Sequence, residues 1–373
     1  MSSSIVKAGI QARIDERLRG LDAMGLRRSL HAPFGIDLSS NDYLGLSQHR
    51  HLRQRMAEAV LREGVGSTGS RLLRGERESF SRIERQFAAF KNAPSSLYFS
   101  SGYLANLAVL TSLPEAGDVV FSDERNHASI IDGVRLSRAR RVVFPHNDVG
   151  ALRGLIRNET SDGEKFVVVE SLFSMDGDEA PLKEYASLCR ETGASLIVDE
   201  AHAVGVYGSR GSGLVEENDI EADVLVSVNT AGKALGVSGA FVAGSGETIE
   251  YLMQRARPFV FSTAPPPAVA SAIQAALEIV AAEPERRERV LARARNLRDR
   301  LGIPGRSQIL PVVLGDSERV TTVARELQSA GFDVRGIRPP TVPEGTARLR
   351  ISVNEGLSEE TLDRFAQALL KKL

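Results

Sequence analysis

Ser195-Leu196-Ile197-Val198-Asp199-Glu200-Ala201-His202 is an apolar run that ends on two carboxylates and a histidine. Consecutive aliphatic residues without polar alternation suit a strand buried on both faces, the habit of parallel sheets. The same signature recurs to either side. Leu97-Tyr98-Phe99, Val119-Val120-Phe121, Val142-Val143-Phe144, Phe166-Val167-Val168-Val169 and Val224-Leu225-Val226 all show it, and helical stretches separate them as far as about Val242. Such alternation predicts an α/β fold around a large, mostly parallel sheet.

In parallel α/β sheets ligands sit at the carboxyl ends of the strands. The residues that follow the runs are therefore the candidates for chemistry. They are Ser100-Ser101-Gly102-Tyr103, Ser122 to His127, Glu170 to Ser174, Asp199 to His202 and Ser227 to Lys233. Carboxylate, imidazole, hydroxyl, glycine and lysine all fall on one predicted rim.

Outside this block the pattern changes. Val6, Ile10, Ile14, Leu18 and Leu21 recur at helical spacing and predict an amphipathic helix that Gly25 ends, inside an N-terminal helical segment 1–40. Residues 41–264 form the expected large α/β domain. After Ala264-Pro265-Pro266-Pro267, residues 265–373 read as a smaller α+β domain: a long helix to about Leu301, a strand from Ile309 to Leu314, a helix from Arg319 to Ala330, a strand from Arg348 to Val353 and a helix capped by Ser358. With no repeat and no low-complexity linker, one compact body is expected.

Composition narrows the function class. The 373 residues are 42% hydrophobic and 25% charged, with a formal net charge of -1. A general nucleic-acid binder would need a basic excess to release phosphate counterions; local clusters such as Arg27-Arg28 or Arg138-Ala139-Arg140-Arg141 read as solvated faces, with contact to a small anionic substrate as the alternative. The single cysteine, Cys189, allows no intrachain disulfide and no CxxC zinc site, so no metal is expected, and its apolar neighbours suit a buried side chain. No window is apolar enough for a signal peptide or a membrane span, and a cytoplasmic location is expected.

Gly64-Val65-Gly66-Ser67-Thr68-Gly69 matches the G-x-G-x-x-G dinucleotide pattern. That pattern binds a dinucleotide only between a strand and a helix, and His51 to Glu63 reads as a helix. A glycine-rich turn near a ligand is the preferred reading.

Thr230-Ala231-Gly232-Lys233-Ala234-Leu235-Gly236 sets one lysine among small residues after a buried strand. Glycine and alanine flanks permit close approach of a flat cofactor. A lysine amine so placed is an available imine-forming nucleophile, and Thr230 offers a hydroxyl to a phosphate. Asp199 at a buried strand end needs a cationic partner unless it caps a helix; a pyridinium nitrogen is one such partner. His202 is close enough in sequence to share the pocket.

Four segments in order resemble the α-oxoamine synthases, fold-type I enzymes that use pyridoxal 5'-phosphate. They are Ser39-Ser40-Asn41-Asp42-Tyr43-Leu44-Gly45-Leu46, Phe173-Ser174-Met175-Asp176-Gly177-Asp178, Val198-Asp199-Glu200-Ala201-His202 and the stretch around Lys233. The resemblance runs over nearly the whole chain. It implies that Lys233 carries the cofactor, Asp199 meets the pyridine nitrogen, His202 meets the ring oxygen and His127 stacks on the ring. It further implies cofactor contacts from Gly102, Tyr103, Ser174 and Thr230, with Ser262 and Thr263 reaching the partner subunit's phosphate in a homodimer. Arg350 would hold the amino-acid carboxylate, and Arg27, Asn41 and Thr341 would line the substrate side. The segment Arg338 to Arg350 is most like the biotin-pathway member of the family. That member would condense L-alanine with a pimeloyl thioester on coenzyme A or acyl carrier protein. Glycine C-acetyltransferase, 5-aminolevulinate synthase and serine palmitoyltransferase stay as alternatives. Phe80 stands where the family usually has a histidine, so the packing role is expected to survive and a polar contact to be lost.

Overall fold

The computed structural model describes residues 3–373. Among them are twelve strands in chain order: β1 (Ile36–Asp37), β2 (Ser95–Phe99), β3 (Val119–Asp123), β4 (Arg140–Phe144), β5 (Lys165–Glu170), β6 (Ser195–Asp199), β7 (Val224–Thr230), β8 (Ala240–Gly244), β9 (Ile309–Gly315), β10 (Phe332–Asp333), β11 (Arg335–Ile337) and β12 (Ala347–Ser352). The chain divides into two compact units. One comprises residues 41–292 and 354–356; the other comprises 1–40, 293–353 and 357–373. Residues 265–292 thus belong with the larger unit, and the N-terminal segment belongs with the C-terminal ones.

The larger unit is built on a seven-stranded sheet of order β2-β8-β7-β6-β5-β3-β4. From β7 to β4 all pairs are parallel, whereas β8 runs antiparallel to both of its neighbours. β8 was not among the expected runs, because Ala240 and Gly244 dilute its apolar signal to Phe241-Val242. The strands β3, β5 and β6 are buried along nearly their whole length, as continuous apolar runs require. β4 departs from that reading. It is the sheet edge, and only Phe144 of its five residues is fully buried. Its exposed Arg140 and Arg141 are the kind of charge that discourages edge pairing.

Helices Gly102–Ser112 and Ala128–Leu136 pack on one face of this sheet, contributing Ala105, Ala108, Val109, Leu110, Ile130 and Val134 to its core. Their crossing is close: a Cβ on Gly133 would lie 2.9 Å from that of Leu110. Helix Glu78–Phe90 brings Phe87 onto Phe241, ring centroids 4.0 Å apart and nearly parallel. Phe80 on the same helix is fully buried and stacked on Tyr98, so its position is one of packing. The helix Arg50–Glu63 precedes Gly64, which removes the dinucleotide reading of the glycine-rich turn. That turn instead pairs with the segment after Phe261, through a Ser70–Thr263 bridge and the Ala264 amide donating to the Gly69 carbonyl at 2.9 Å.

In the smaller unit β11, β12 and β9 form an antiparallel sheet, and β1 pairs with β10. Helices Ser317–Ser329 and Glu359–Leu370 supply Val320, Leu327, Leu362 and Phe365 to its core. Ser358 caps the last helix by accepting from the Thr361 amide. The long helix expected up to Leu301 is two, Pro267–Ala282 and Glu285–Leu301, because Pro284 lacks the amide a continuous helix needs. The N-terminal helix Ser3–Ala23 ends before Gly25, which is left-handed at φ 62°. Ile10, Ile14, Leu18 and Leu21 on it are all at least 36% exposed, so its apolar stripe is not covered. Val6 falls among the first eight residues, whose side chains are outside the described set.

Candidate active site

The carboxyl ends of β3, β5, β6 and β7 meet at one rim of the larger unit. β6 delivers Asp199, 5% exposed, to that rim. No helix begins there, so Asp199 is not a helix cap. Its Oδ1 accepts from the Ala201 amide at 2.8 Å and its Oδ2 from Asn106 Nδ2 at 2.7 Å. Both donors are neutral. A buried carboxylate answered only by neutral donors suits a cationic partner.

Three residues past β6, His202 is buried, and past β7 Lys233 reaches it. Lys233 Nζ lies 2.7 Å from His202 Nε2, and Tyr43 OH lies 2.7 Å from His202 Nδ1. Tyr43 OH also donates to Asn41 Oδ1 at 3.1 Å. Lysine, imidazole, phenol and amide thus form one chain, and the two expected residues His202 and Lys233 are in contact. Lys233 sits in a turn that returns from β7 to β8. The Ala231 amide closes it on the Gly239 carbonyl, and the Val237 amide on the Ala231 carbonyl. Gly239 has φ 88° and faces the Tyr98 ring so closely that no side chain fits.

His127 caps the helix Ala128–Leu136, its Nδ1 taken by Ser129 at 2.7 Å. Ser129 Oγ in turn accepts from Asn106 Nδ2 at 2.9 Å. A second chain therefore links His127, Ser129, Asn106 and Asp199. The imidazole is held below its ordinary pKa: desolvation favours the neutral ring, Asp199 opposes this, and the Lys233 charge adds to it.

Beside Thr230 the helix Gly102–Ser112 begins, capped by Ser101 Oγ accepting from the Leu104 amide at 3.2 Å. A Cβ on Gly102 would be 3.7 Å from that of Thr230, so the Gly102 backbone and the Thr230 hydroxyl adjoin. Thr230 Oγ1 also receives the Gly232 amide at 3.2 Å. Amides without partners in a first helical turn, next to a hydroxyl, make a place for an anion. Tyr103 is half exposed and donates to the Asp132 carboxylate, which raises its pKa.

Ser174, 9% exposed, follows β5 in the Phe173–Asp178 loop. That loop is fastened by His146, whose Nε2 is 2.6 Å from Asp178 Oδ2 and whose Nδ1 is 3.0 Å from Asp123 Oδ1. Ser262 and exposed Thr263 lie beside Phe261, itself 72% exposed. Of the remaining expected residues, Arg27, Thr341 and Arg350 belong to the smaller unit. Arg350 is buried on β12 and donates to Ser352 Oγ at 2.8 Å. Arg27 pairs with Asp22 at 2.7 Å, and Thr341 accepts from Arg28 at 3.1 Å.

Sequence reasoning passed over Asn106, Ser129 and His146, and it gave Glu170 no role. Glu170 carried a usable signal, a carboxyl ending an apolar run as Asp199 does. Its side chain is wholly buried, and burial, with the Asp199 charge adding and Lys233 opposing, lifts it to about 8.

The profile of the class I and II aminotransferases matches residues 34–369. Among curated relatives, 8-amino-7-oxononanoate synthase from Anaeromyxobacter dehalogenans is 46% identical over 95% of this chain and 94% of its own length. The Geobacter sulfurreducens enzyme of that name is 44% identical over 95% and 96%. Among solved structures, serine palmitoyltransferase from Sphingomonas wittichii superposes with TM-score 0.91 at 30% identity over 98% of this chain and 97% of that one. An 8-amino-7-oxononanoate synthase from Francisella tularensis gives 0.79 at 29% identity over 91% and 97%. A near-complete match to the family profile and full-length relatives well above 40% identity leave one conclusion: the chain belongs to the class I and II aminotransferases, pyridoxal-phosphate enzymes of fold type I, within their α-oxoamine synthase branch.

Proposed function

We propose that this chain condenses L-alanine with a pimeloyl thioester, on coenzyme A or acyl carrier protein, releasing carbon dioxide and the free thiol carrier and forming 8-amino-7-oxononanoate for biotin synthesis. The observation that carries this reading is the 44–46% identity to 8-amino-7-oxononanoate synthases over 95% of the chain. The residues present fit pyridoxal 5'-phosphate. Asp199 is a buried carboxylate whose hydrogen-bond donors are neutral, and the Gly102–Ser112 helix start adjoins the Thr230 hydroxyl. Bound there, the cofactor supplies an aldehyde for an amine and a ring that accepts the electron pair released at the amino acid's Cα.

Lys233 would hold the cofactor through Nζ, and the same nitrogen would serve as the base for the Cα proton. His202 orients Lys233 from 2.7 Å, and Tyr43 fixes the imidazole from its other side. Asp199 keeps a proton on the ring nitrogen, and Asn106 prevents the carboxylate from turning away. His127, with Nδ1 occupied by Ser129, would stack on the ring and keep Nε2 for the oxygen that gains charge when the thioester is attacked. Gly102, Tyr103, Ser174 and Thr230 serve the cofactor. Arg350 offers the amino-acid carboxylate a two-pronged contact, with Arg27, Asn41 and Thr341 on the substrate side. The enzyme is a cytoplasmic homodimer in this proposal, with Ser262 and Thr263 facing the partner's phosphate. The exposed apolar residues Leu61, Val65, Leu73 and Phe261, on segments near that pair in sequence or by bridging, support a covered surface there.

Incubation with L-alanine and pimeloyl-CoA should yield the mass of 8-amino-7-oxononanoate with one carbon dioxide per product. Parallel reactions with glycine plus acetyl-CoA or succinyl-CoA, and with L-serine plus palmitoyl-CoA, should be slower by at least about tenfold in kcat/KM. Faster product formation in either parallel arm sinks the substrate assignment. Lys233→Ala should cost at least about a hundredfold in turnover; full turnover in that variant removes Lys233 from its role.

A further inference from the structure

Glu170 ends β5 and is in register with Asp199 at the end of β6, so two carboxyl side chains stand on neighbouring strands with the same facing. Glu170 is 3% exposed and Asp199 5%. The backbone amides of His127 and Ser174 lie on the side of the Glu170 carboxyl and favour its charged form without outweighing burial, and its Oε1 has no hydrogen-bond partner among the described residues. Its own amide is held by Asn126 Oδ1 at 3.2 Å. One buried carboxyl therefore stands beside the two loops that present His127 and Ser174 to the rim, and the groups it meets there are neutral. Two buried carboxylates on adjacent strands cannot both carry charge without a cation for each. The nearby cation is Lys233, whose amine is engaged with His202.

The other titratable groups around Glu170 do not change this balance. Asp123 ends β3 on the other side, but its carboxyl is occupied by His146 and by the Asn147 and Arg125 amides. His127 is held toward its neutral form, and His202 is bracketed by Tyr43 and Lys233.

We propose that Glu170 is a positioning residue held as a neutral carboxylic acid, fixing the backbones of His127 and Ser174 while leaving Asp199 as the one carboxylate that faces the cofactor's ring nitrogen. The cofactor half of this statement rests on the proposed function; the protonation half does not. A carboxyl lifted from 4.5 to about 8 by burial agrees with it. The sign follows from linkage. The unfolded chain loses the Glu170 proton near 4.5 while the folded chain keeps it to about 8, so this group lowers stability progressively across that window.

The test uses the pyridoxal-phosphate-loaded protein as wild type, Glu170→Gln and Glu170→Ala. The amide is neutral at every pH and nearly the shape of the acid. The melting temperature of Glu170→Gln should gain steadily on wild type from about pH 5 to about pH 8. A difference that is flat, or that turns against the glutamine variant as pH rises, overturns the neutral-acid assignment. In cofactor titrations Glu170→Ala should bind pyridoxal phosphate roughly tenfold more weakly, and Glu170→Gln should restore the affinity. Wild-type affinity in the alanine variant, or no rescue by glutamine, overturns the positioning role. Should Lys233→Ala retain the cofactor as tightly as wild type, the site reading itself has failed, and the melting profiles still report the Glu170 proton.

Discussion

His146 stands between Asp123 and Asp178 and ties the Phe173–Asp178 loop to the end of β3. Its ring also meets Phe173 edge-on at 4.4 Å. Burial alone would depress its pKa, but hydrogen bonds to the two carboxyls outweigh that and raise it to about 9. Because the folded value exceeds the unfolded 6.5, the stabilisation is complete below about 6.5 and is lost as pH rises through 9. His146→Asn should cost about 3 kcal/mol near pH 6 and clearly less above pH 9, read by denaturant unfolding at both values. A cost that does not shrink with pH would mean the imidazolium is not what holds the loop. Residues of this kind escape a sequence reading. His146 meets partners 23 and 32 positions away, and Asn106 reaches Asp199 across 93. Nothing in their neighbours marks them. Lys233, Asp199 and His202 were legible because each follows an apolar strand whose end needs an explanation for a polar side chain.

The turn between β7 and β8 shows how one element sets the chemistry of its neighbours. It must reverse the chain, keep Lys233 beside His202 and pass under the Tyr98 ring. Gly239 meets all three demands with a left-handed backbone and no side chain. Gly239→Ala would place a methyl group into Tyr98, whose hydroxyl donates to the Ser238 carbonyl at 3.0 Å. We expect a loss of more than about 1 kcal/mol in stability, together with weaker retention of pyridoxal phosphate, measured by melting and by cofactor titration. Undisturbed retention would show that the turn does not set the Lys233 position. Elements were legible where the apolar run was long, as in β5 and β6. They were misread where the decisive signal was a single residue: Pro284 divides one expected helix, and the small residues of β8 hide an antiparallel strand.

At the scale of the whole molecule, the exposed apolar side chains of the larger unit bear on the proposed dimer. Leu61, Val65, Leu73 and Phe261 are each at least 72% exposed. Sedimentation of the wild-type protein should give twice the chain mass, and Phe261→Glu should shift it toward the monomer and weaken cofactor binding. A wild-type monomer with full activity would end the shared-site proposal. Sequence offers Ser262 and Thr263 as partner-facing only by resemblance, since a surface that a second copy would complete leaves no periodicity in the first.

One ion pair carries a longer consequence. Lys91, 2% exposed in its side chain, meets Glu200, 0% exposed, and also donates to the Ser212 carbonyl at 2.6 Å. Glu200 adjoins Asp199 and accepts the Val215 amide at 2.9 Å. Losing either member alone strands a dry charge, at about 3–5 kcal/mol, whereas an apolar couple of matching volume would be tolerated. Positions 91 and 200 are thus locked together over evolutionary time: descendants of this chain can drift at both sites or at neither, and every single-step route between the two solutions crosses a protein that folds poorly.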